Sequence, residues 1–196
     1  MPITISKNIL LLCGCLSLFS CAIETKDVVQ PEQKIEKVKK IEIDKTIILK
    51  FDQAKKYLNN KQYQSAIDLL HNIIKTDDRF AAPFINLAIA YERLGNNKQT
   101  EKYLHKALNI DLTNVVANNE LGILYRQQGR FSDARKAYEN ALLKHPNNLL
   151  ILRNFGILCD LYLSDLSCAQ QLYKKYLDIS DNKKIKIWLL DLERRM

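Results

Sequence analysis

The chain has 196 residues, and 30 Lys or Arg against 22 Asp or Glu give it a formal net charge of +8. That charge permits attraction to acidic partners or an anionic lipid surface, but it does not by itself indicate nucleic acid, and no nucleic-acid partner is expected. With five Gly in all, and no HExxH, nucleophile elbow or phosphate loop, the sequence excludes the common hydrolase and nucleotide-binding chemistries, so no catalytic residue, metal site or cofactor is expected.

Ile9–Phe19 is an apolar run preceded by the single basic residue Lys7. It is too short to span a bilayer as a stable helix and predicts a signal peptide over residues 1–20, outside the fold. The run ends at Leu18-Phe19-Ser20-Cys21, which resembles a lipobox, the site where bacterial lipoproteins are diacylated on Cys and cleaved before it. Cys21 is therefore the expected lipidation site. The competing box at Leu12-Cys13-Gly14-Cys15 would leave a hydrophobic core of about six residues, below the usual range. Two or three acyl chains anchor durably, at about 0.8 kcal/mol per buried CH₂. Ala22, where Asp would resemble an inner-membrane retention signal, points to the outer membrane facing the periplasm; a soluble periplasmic protein is the alternative. Residues 21–46, rich in Lys, Glu, Asp and Gln with Pro31, read as a charged tether, although Ile35, Val38, Ile41 and Ile43 leave room for a short helix or strand.

From residue 47 the pattern changes. Across LGILYRQQGRFSDARKAYENALLKHP, the residues Leu121, Gly122, Tyr125, Gly129, Phe131, Ala134, Tyr138, Ala141 and Pro146 mix small and large side chains over two helices joined by a Gly-containing turn. This stretch resembles the tetratricopeptide repeat, a 34-residue helix–turn–helix unit; Asn118 stands where the family often has Trp. One unit cannot bury its own apolar face, so neighbours are required. Alignment on it predicts repeats at 47–80, 81–114, 115–148 and 149–183. The second has Thr100 where Ala is expected. Ala88, Gly122 and Gly156 recur where the paired helices come closest, with Ala66, Ala134 and Ala169 on the facing helix. The fourth repeat carries one extra residue and no Gly in its YLSDLS loop, so a different turn is expected there. Beyond Asp181, taken as an N-cap, Ile185, Trp188, Leu189 and Leu192 form one stripe on a capping helix over 184–196, in which Trp188 packs rather than binds. The expected fold is all-α, an α-solenoid forming a right-handed superhelix of about four repeats plus that cap.

In this family ligands lie in a concave groove lined by the first helix of each repeat. The resemblance therefore implies a lining of Lys55, Asn86, Ile89, Arg93, Asn119, Ile123, Arg126, Gln127, Arg153, Asn154 and Ile157. Ile89, Ile123 and Ile157 stand one repeat apart. An apolar ladder flanked by Asn amides suits a protein segment or extended peptide, whose backbone the amides can bond; the alternative is that the Ile row packs between helices and the amides are solvated. His71 and His105 share a repeat position on the outward side and, with His145, read as solvated surface. Cys159 and Cys168 are nearly symmetric about the turn at Leu163–Ser164 and should sit level, so a disulfide is expected in an oxidising periplasm, with two buried thiols as the alternative. Packed helix axes about 8–10 Å apart make such a bridge demanding.

These readings imply a non-catalytic scaffold, an outer-membrane lipoprotein that docks periplasmic or envelope assembly partners. Similar-looking lipoproteins serve type IV pilus assembly, outer-membrane protein insertion or recruitment of peptidoglycan hydrolases. GILCDLYL, YKKYL and WLLDLERR also resemble small periplasmic repeat proteins found with TonB-type systems. Repeat families share a fold without sharing partners, so no single pathway is selected. The alternatives are an accessory subunit modulating an envelope enzyme such as a peptidoglycan hydrolase, and a periplasmic chaperone.

Overall fold

The computed structural model describes residues 44–196; the expected signal at 1–20, Cys21 and the expected tether up to residue 43 lie outside the described residues. Nine helices and no strand occur among the described residues: α1 (Lys45–Asn59), α2 (Tyr63–Thr76), α3 (Ala81–Arg93), α4 (Asn97–Ile110), α5 (Val115–Gln127), α6 (Phe131–Lys144), α7 (Leu149–Leu161), α8 (Leu166–Ile179) and α9 (Lys183–Arg195). Each odd-numbered helix from α1 to α7 pairs with the even one after it, and each even one packs on the next odd one. Such nearest-neighbour packing makes the fold an all-α superhelical solenoid.

Local chemistry sets the helix ends. Asn114 and Asn148, one repeat apart, begin α5 and α7, each side chain accepting a backbone N–H three residues on, at 3.1 Å. The turn inside every repeat holds one residue in the left-handed region: Lys61 (φ 60°), Gly95 (73°), Gly129 (75°) and Ser164 (52°). Gly is the usual occupant because it has no Cβ to clash there. The fourth turn keeps this feature with Ser164 but is one residue wider, since Ser164 lies three residues past the end of α7 while Gly95 and Gly129 lie two past α3 and α5. The N-cap of α9 is Asn182 rather than Asp181, accepting from the N–H groups of Lys184 and Ile185 at 3.0 and 3.2 Å.

Within the repeats, small residues oppose large ones. A Cβ built on Gly122 would overlap the Tyr138 ring, and one on Gly156 the Tyr173 ring. The rings, rather than Ala134 and Ala169, fill the space above these glycines; the two alanines are fully buried beside them. One and two repeats earlier the same two positions read Ala88 with Leu104 and Ala54 with Leu70, all buried. Where the second helix carries Leu, the first carries a methyl; where it carries Tyr, the first carries none.

Contacts between repeats include polar rungs on two of the histidines: His71 is half-buried rather than solvated, while His105 is hydrogen-bonded but exposed, and His145 is exposed as expected. His71 Nε2 and Tyr91 Oη share a hydrogen bond of 3.3 Å, and one repeat on, His105 Nε2 and Tyr125 Oη are 2.8 Å apart. Tyr125 Oη donates to Glu101 Oε1 at 3.0 Å, leaving its oxygen to accept from His105. Arg130 Nη1 also donates to Glu101 Oε1, at 2.8 Å, and its guanidinium lies 4.0 Å from the Tyr125 ring centre. Burial and the Glu101 carboxylate push the Tyr125 hydroxyl up to about 12. Burial also lowers His71.

The cap is tied down by α9. Ile185 and Leu192 are buried, Trp188 and Leu189 are partly buried, and the Trp188 and Tyr173 rings are 5.9 Å apart. Arg195 Nη2 donates to the buried Asp160 Oδ1 of α7 at 2.7 Å. Neither partner belongs to the apolar stripe that marks this helix in the sequence.

Candidate partner-binding groove

The first helices present one face built from two apolar rows. Ile89, Ile123 and Ile157 are half-buried in the first row. Seven residues before each, and so two turns along the same face, stand Ala82, Val116 and Leu150; Ile48 continues this row on α1, where Lys55 replaces the isoleucine. Ile48, Val116 and Leu150 are 47%, 47% and 40% exposed. These three large aliphatic side chains stand in water at multiples of the repeat length, with Ala82 at the remaining position. The sequence reading missed this second row, although the 34-residue spacing of Ile48, Ala82, Val116 and Leu150 was visible in the sequence.

The polar residues of the lining divide into groups. Asn154 Nδ2 donates to Asn119 Oδ1 across neighbouring repeats at 2.7 Å, and Asn119 Nδ2 donates to Glu120 Oε1 at 3.1 Å. Asn119 is 4% exposed, so it braces the groove floor rather than meeting solvent or a peptide backbone. Asn86 Nδ2 donates to Ala82 O in its own helix at 2.9 Å. Lys55 Nζ lies 2.8 Å from Asp52 Oδ1. Arg93 pairs with Glu92 at 3.3 Å, the Arg126 guanidinium stands 5.3 Å from the Tyr162 ring centre, and Arg153 Nε donates to Asn154 Oδ1 at 3.3 Å. Gln127 is exposed. Asn119 and Asn154 thus come together, while Lys55 and Asn86 are engaged within their own helices.

Glu120 stands out electrostatically. Burial is the main reason its carboxyl is raised above the ordinary value of 4.5; repulsion from Glu92 adds to this, while the Asn119 bond and Arg93 oppose it. A carboxyl whose folded pKa is raised favours the fold most when protonated, and that contribution is lost as pH rises through the folded pKa. Glu120→Gln is therefore expected to raise the melting temperature at pH 7, with the gain closing as pH falls towards 4; scanning calorimetry across that range checks it.

At the far end of the face, Ile157, Leu161, Tyr173 and Trp188 line a recess of about 360 Å³ bounded by Asp160 and Arg195. The cap leaves Trp188 accessible there. Beyond it, Cys159 near the end of α7 and Cys168 in the first turn of α8 have Cα atoms 5.9 Å apart with their sulfurs at bonding distance. The approach is close because both flank the turn where the helices converge. Asp165 lies beside them, and it caps α8 through the Cys168 N–H while accepting from Arg135 Nη2 at 2.7 Å.

Residues 55–184 match the family described as Psidin, N-terminal TPR repeats region. The chain is 32% identical over 144 residues to the uncharacterized protein ycf37 of Pyropia yezoensis, covering 71% of this chain and 76% of that protein. It is 27% identical over 114 residues to the type IV pilus assembly protein PilF of Pseudomonas aeruginosa, covering 57% of this chain and 44% of that one. A solved PilF structure superposes on the fold with a TM-score of 0.67 at 20% identity, covering 76% of this chain and 68% of that one. The human NatA auxiliary subunit N-alpha-acetyltransferase 16 is 28% identical over 111 residues, covering 55% of this chain but 13% of its own length.

Proposed function

The chain belongs to the tetratricopeptide-repeat family over residues 55–184, and on that premise we propose that it is a non-catalytic docking scaffold of the bacterial envelope. In this reading it is an outer-membrane lipoprotein, anchored through Cys21, whose groove holds an extended segment of a periplasmic or envelope assembly partner. The observation that carries the docking role is the recurrence of two apolar rows on one face of the first helices in register with the repeat, with Ile48, Val116 and Leu150 exposed. Similarity to a pilus assembly protein favours a pilus partner among those considered, and the facing Cys159 and Cys168 favour an oxidising compartment.

A second reading, an accessory subunit of an enzyme, draws on the similarity to the NatA auxiliary subunit. It differs in expecting one stoichiometric enzyme partner whose turnover changes on binding.

Affinity purification from detergent-solubilised envelopes separates these readings. The docking reading expects Val116→Asp to lose the co-purifying assembly partner, because it places a charge in the exposed apolar row of the groove face. An unchanged set of partners contradicts it. Globomycin is expected to cause accumulation of the unprocessed precursor; normal processing would rule out lipidation at Cys21.

A further inference from the structure

Between α7 and α9 the groove face opens into a recess far wider than its counterpart between α3 and α5. α9 continues the series of first helices: its bounds lie 34 residues after those of α7, and its buried Ile185 and Leu192 stand 34 residues after the buried Ile151 and Leu158. Between α3 and α5 the space bounded by Ile89, Glu92, Glu120, Ile123 and Gln127 amounts to about 10 Å³, too little for a side chain. The same five positions two repeats on are Ile157, Asp160, Trp188, Asp191 and Arg195, and there the space amounts to about 360 Å³. Asp191 stands where the isoleucine row would continue, and Trp188 where the preceding first helices carry Asn86, Glu120 and Asn154.

Walls and charges together restrict the occupant. Ile157, Leu161, Tyr173 and Trp188 supply the apolar surface, and Leu161, one turn beyond Ile157, is 66% exposed. The Tyr173 and Trp188 rings are tilted 49° to one another, a corner in which a third ring meets one face and one edge. Arg195 pairs with both Asp160, at 2.7 Å, and Asp191, at 3.2 Å, while Lys184 Nζ lies 5.0 Å from the Trp188 ring centre. Two carboxylates thus face two cations. A charged side chain would have to break one of these pairs to enter, whereas a neutral apolar one covers the rings and leaves the pairs at the rim. The recess begins at Ile157, the last rung of the isoleucine row, so a segment lying along the groove reaches it without leaving that face.

We propose that the recess between α7 and α9 is the anchor socket of the groove, in which the partner segment seats one aromatic side chain against Trp188 and Tyr173. A ring held in a walled recess is the kind of contact that dominates binding, while the shallower aliphatic rows set the register. This rests on the groove being the docking surface and names the chemistry that its partner brings.

Trp188 is the only tryptophan of the chain, so its fluorescence reads the socket alone. The test pans random dodecapeptides displayed on phage against the purified full-length protein in detergent, then titrates synthetic copies of the selected peptides, with any Trp replaced by Phe. Selected peptides are expected to share one aromatic residue, to shift the Trp188 emission to shorter wavelength on binding, and to bind Leu161→Arg about tenfold more weakly. Because Leu161 is exposed, this variant is expected to melt with the parent protein, so that weaker binding is not lost folding. Selected peptides without an aromatic residue, an unchanged Trp188 emission at saturation, or an undiminished affinity for Leu161→Arg overturn the proposal. Val116→Asp reads the groove separately. Peptides weakened by it but not by Leu161→Arg leave docking in place and remove the socket; peptides indifferent to both show that the docking reading itself fails, and this proposal with it. Sedimentation without peptide reads the remaining occupant: a dimer that Leu161→Arg dissociates would assign the socket to a second copy of the chain and overturn the proposal as well.

Discussion

Gly122→Ala destabilises the protein by up to about 2 kcal/mol, whereas the same change in a Tyr138→Leu background stabilises it by about 1 kcal/mol. In the native chain the new methyl falls on the Tyr138 ring, which is fully buried and has no room to retreat. Overpacking of this kind costs about 1–3 kcal/mol, more than the roughly 1 kcal/mol that Ala gains over Gly inside a helix. With Leu at 138 the clash is gone and the helix preference remains. The chain contains the precedent, since Ala88 and Leu104 are both buried one repeat earlier. A double-mutant cycle read by urea denaturation should give a coupling of about 1–3 kcal/mol; equal effects of Gly122→Ala in the two backgrounds would contradict this packing rule. Tyr138→Phe is the control. The Tyr138 hydroxyl is buried without a partner and pushed up to about 12 by desolvation, so its removal should be neutral or slightly stabilising.

Reduction of a Cys159–Cys168 bridge is expected to cost about 2.5 kcal/mol, the loop-closure entropy for a sequence separation of 9. Because each repeat touches only its neighbours, the loss should be local. Amides of α7, α8 and α9 should exchange faster after reduction, while those of α3 and α4 keep their protection. Alkylation of both cysteines in protein isolated without reductant, or a melting curve indifferent to reductant, would show free thiols instead.

Much of the fold was legible because a repeat states its packing rule several times. Gly122, Tyr125, Ala134 and Tyr138 identify one unit, and the others follow by translation. Side-chain partnerships that cross repeats were less visible. His71 and His105 look outward on their own helices; the tyrosines they bond lie 20 residues away, a spacing that belongs to the superhelix rather than to either helix. Asp160 and Arg195 are 35 residues apart, and nothing local marks them as a pair. In the groove, the isoleucine row was legible from its period, but the states of Asn119 and Glu120 depend on the depth of the floor between helices. Asn119 lay in the expected lining yet is occupied by Asn154, whereas Glu120, outside the expected set, is the groove carboxyl that burial raises.

The docking claim is tested most directly by photocrosslinking in living cells from two exposed positions, Gln127 on the groove face and Lys136 on α6, each replaced by p-benzoylphenylalanine. A discrete adduct from position 127 and none from 136 is the predicted result. Adducts from 136 alone, the same adducts from both positions, or none from 127 would contradict a groove that holds the partner.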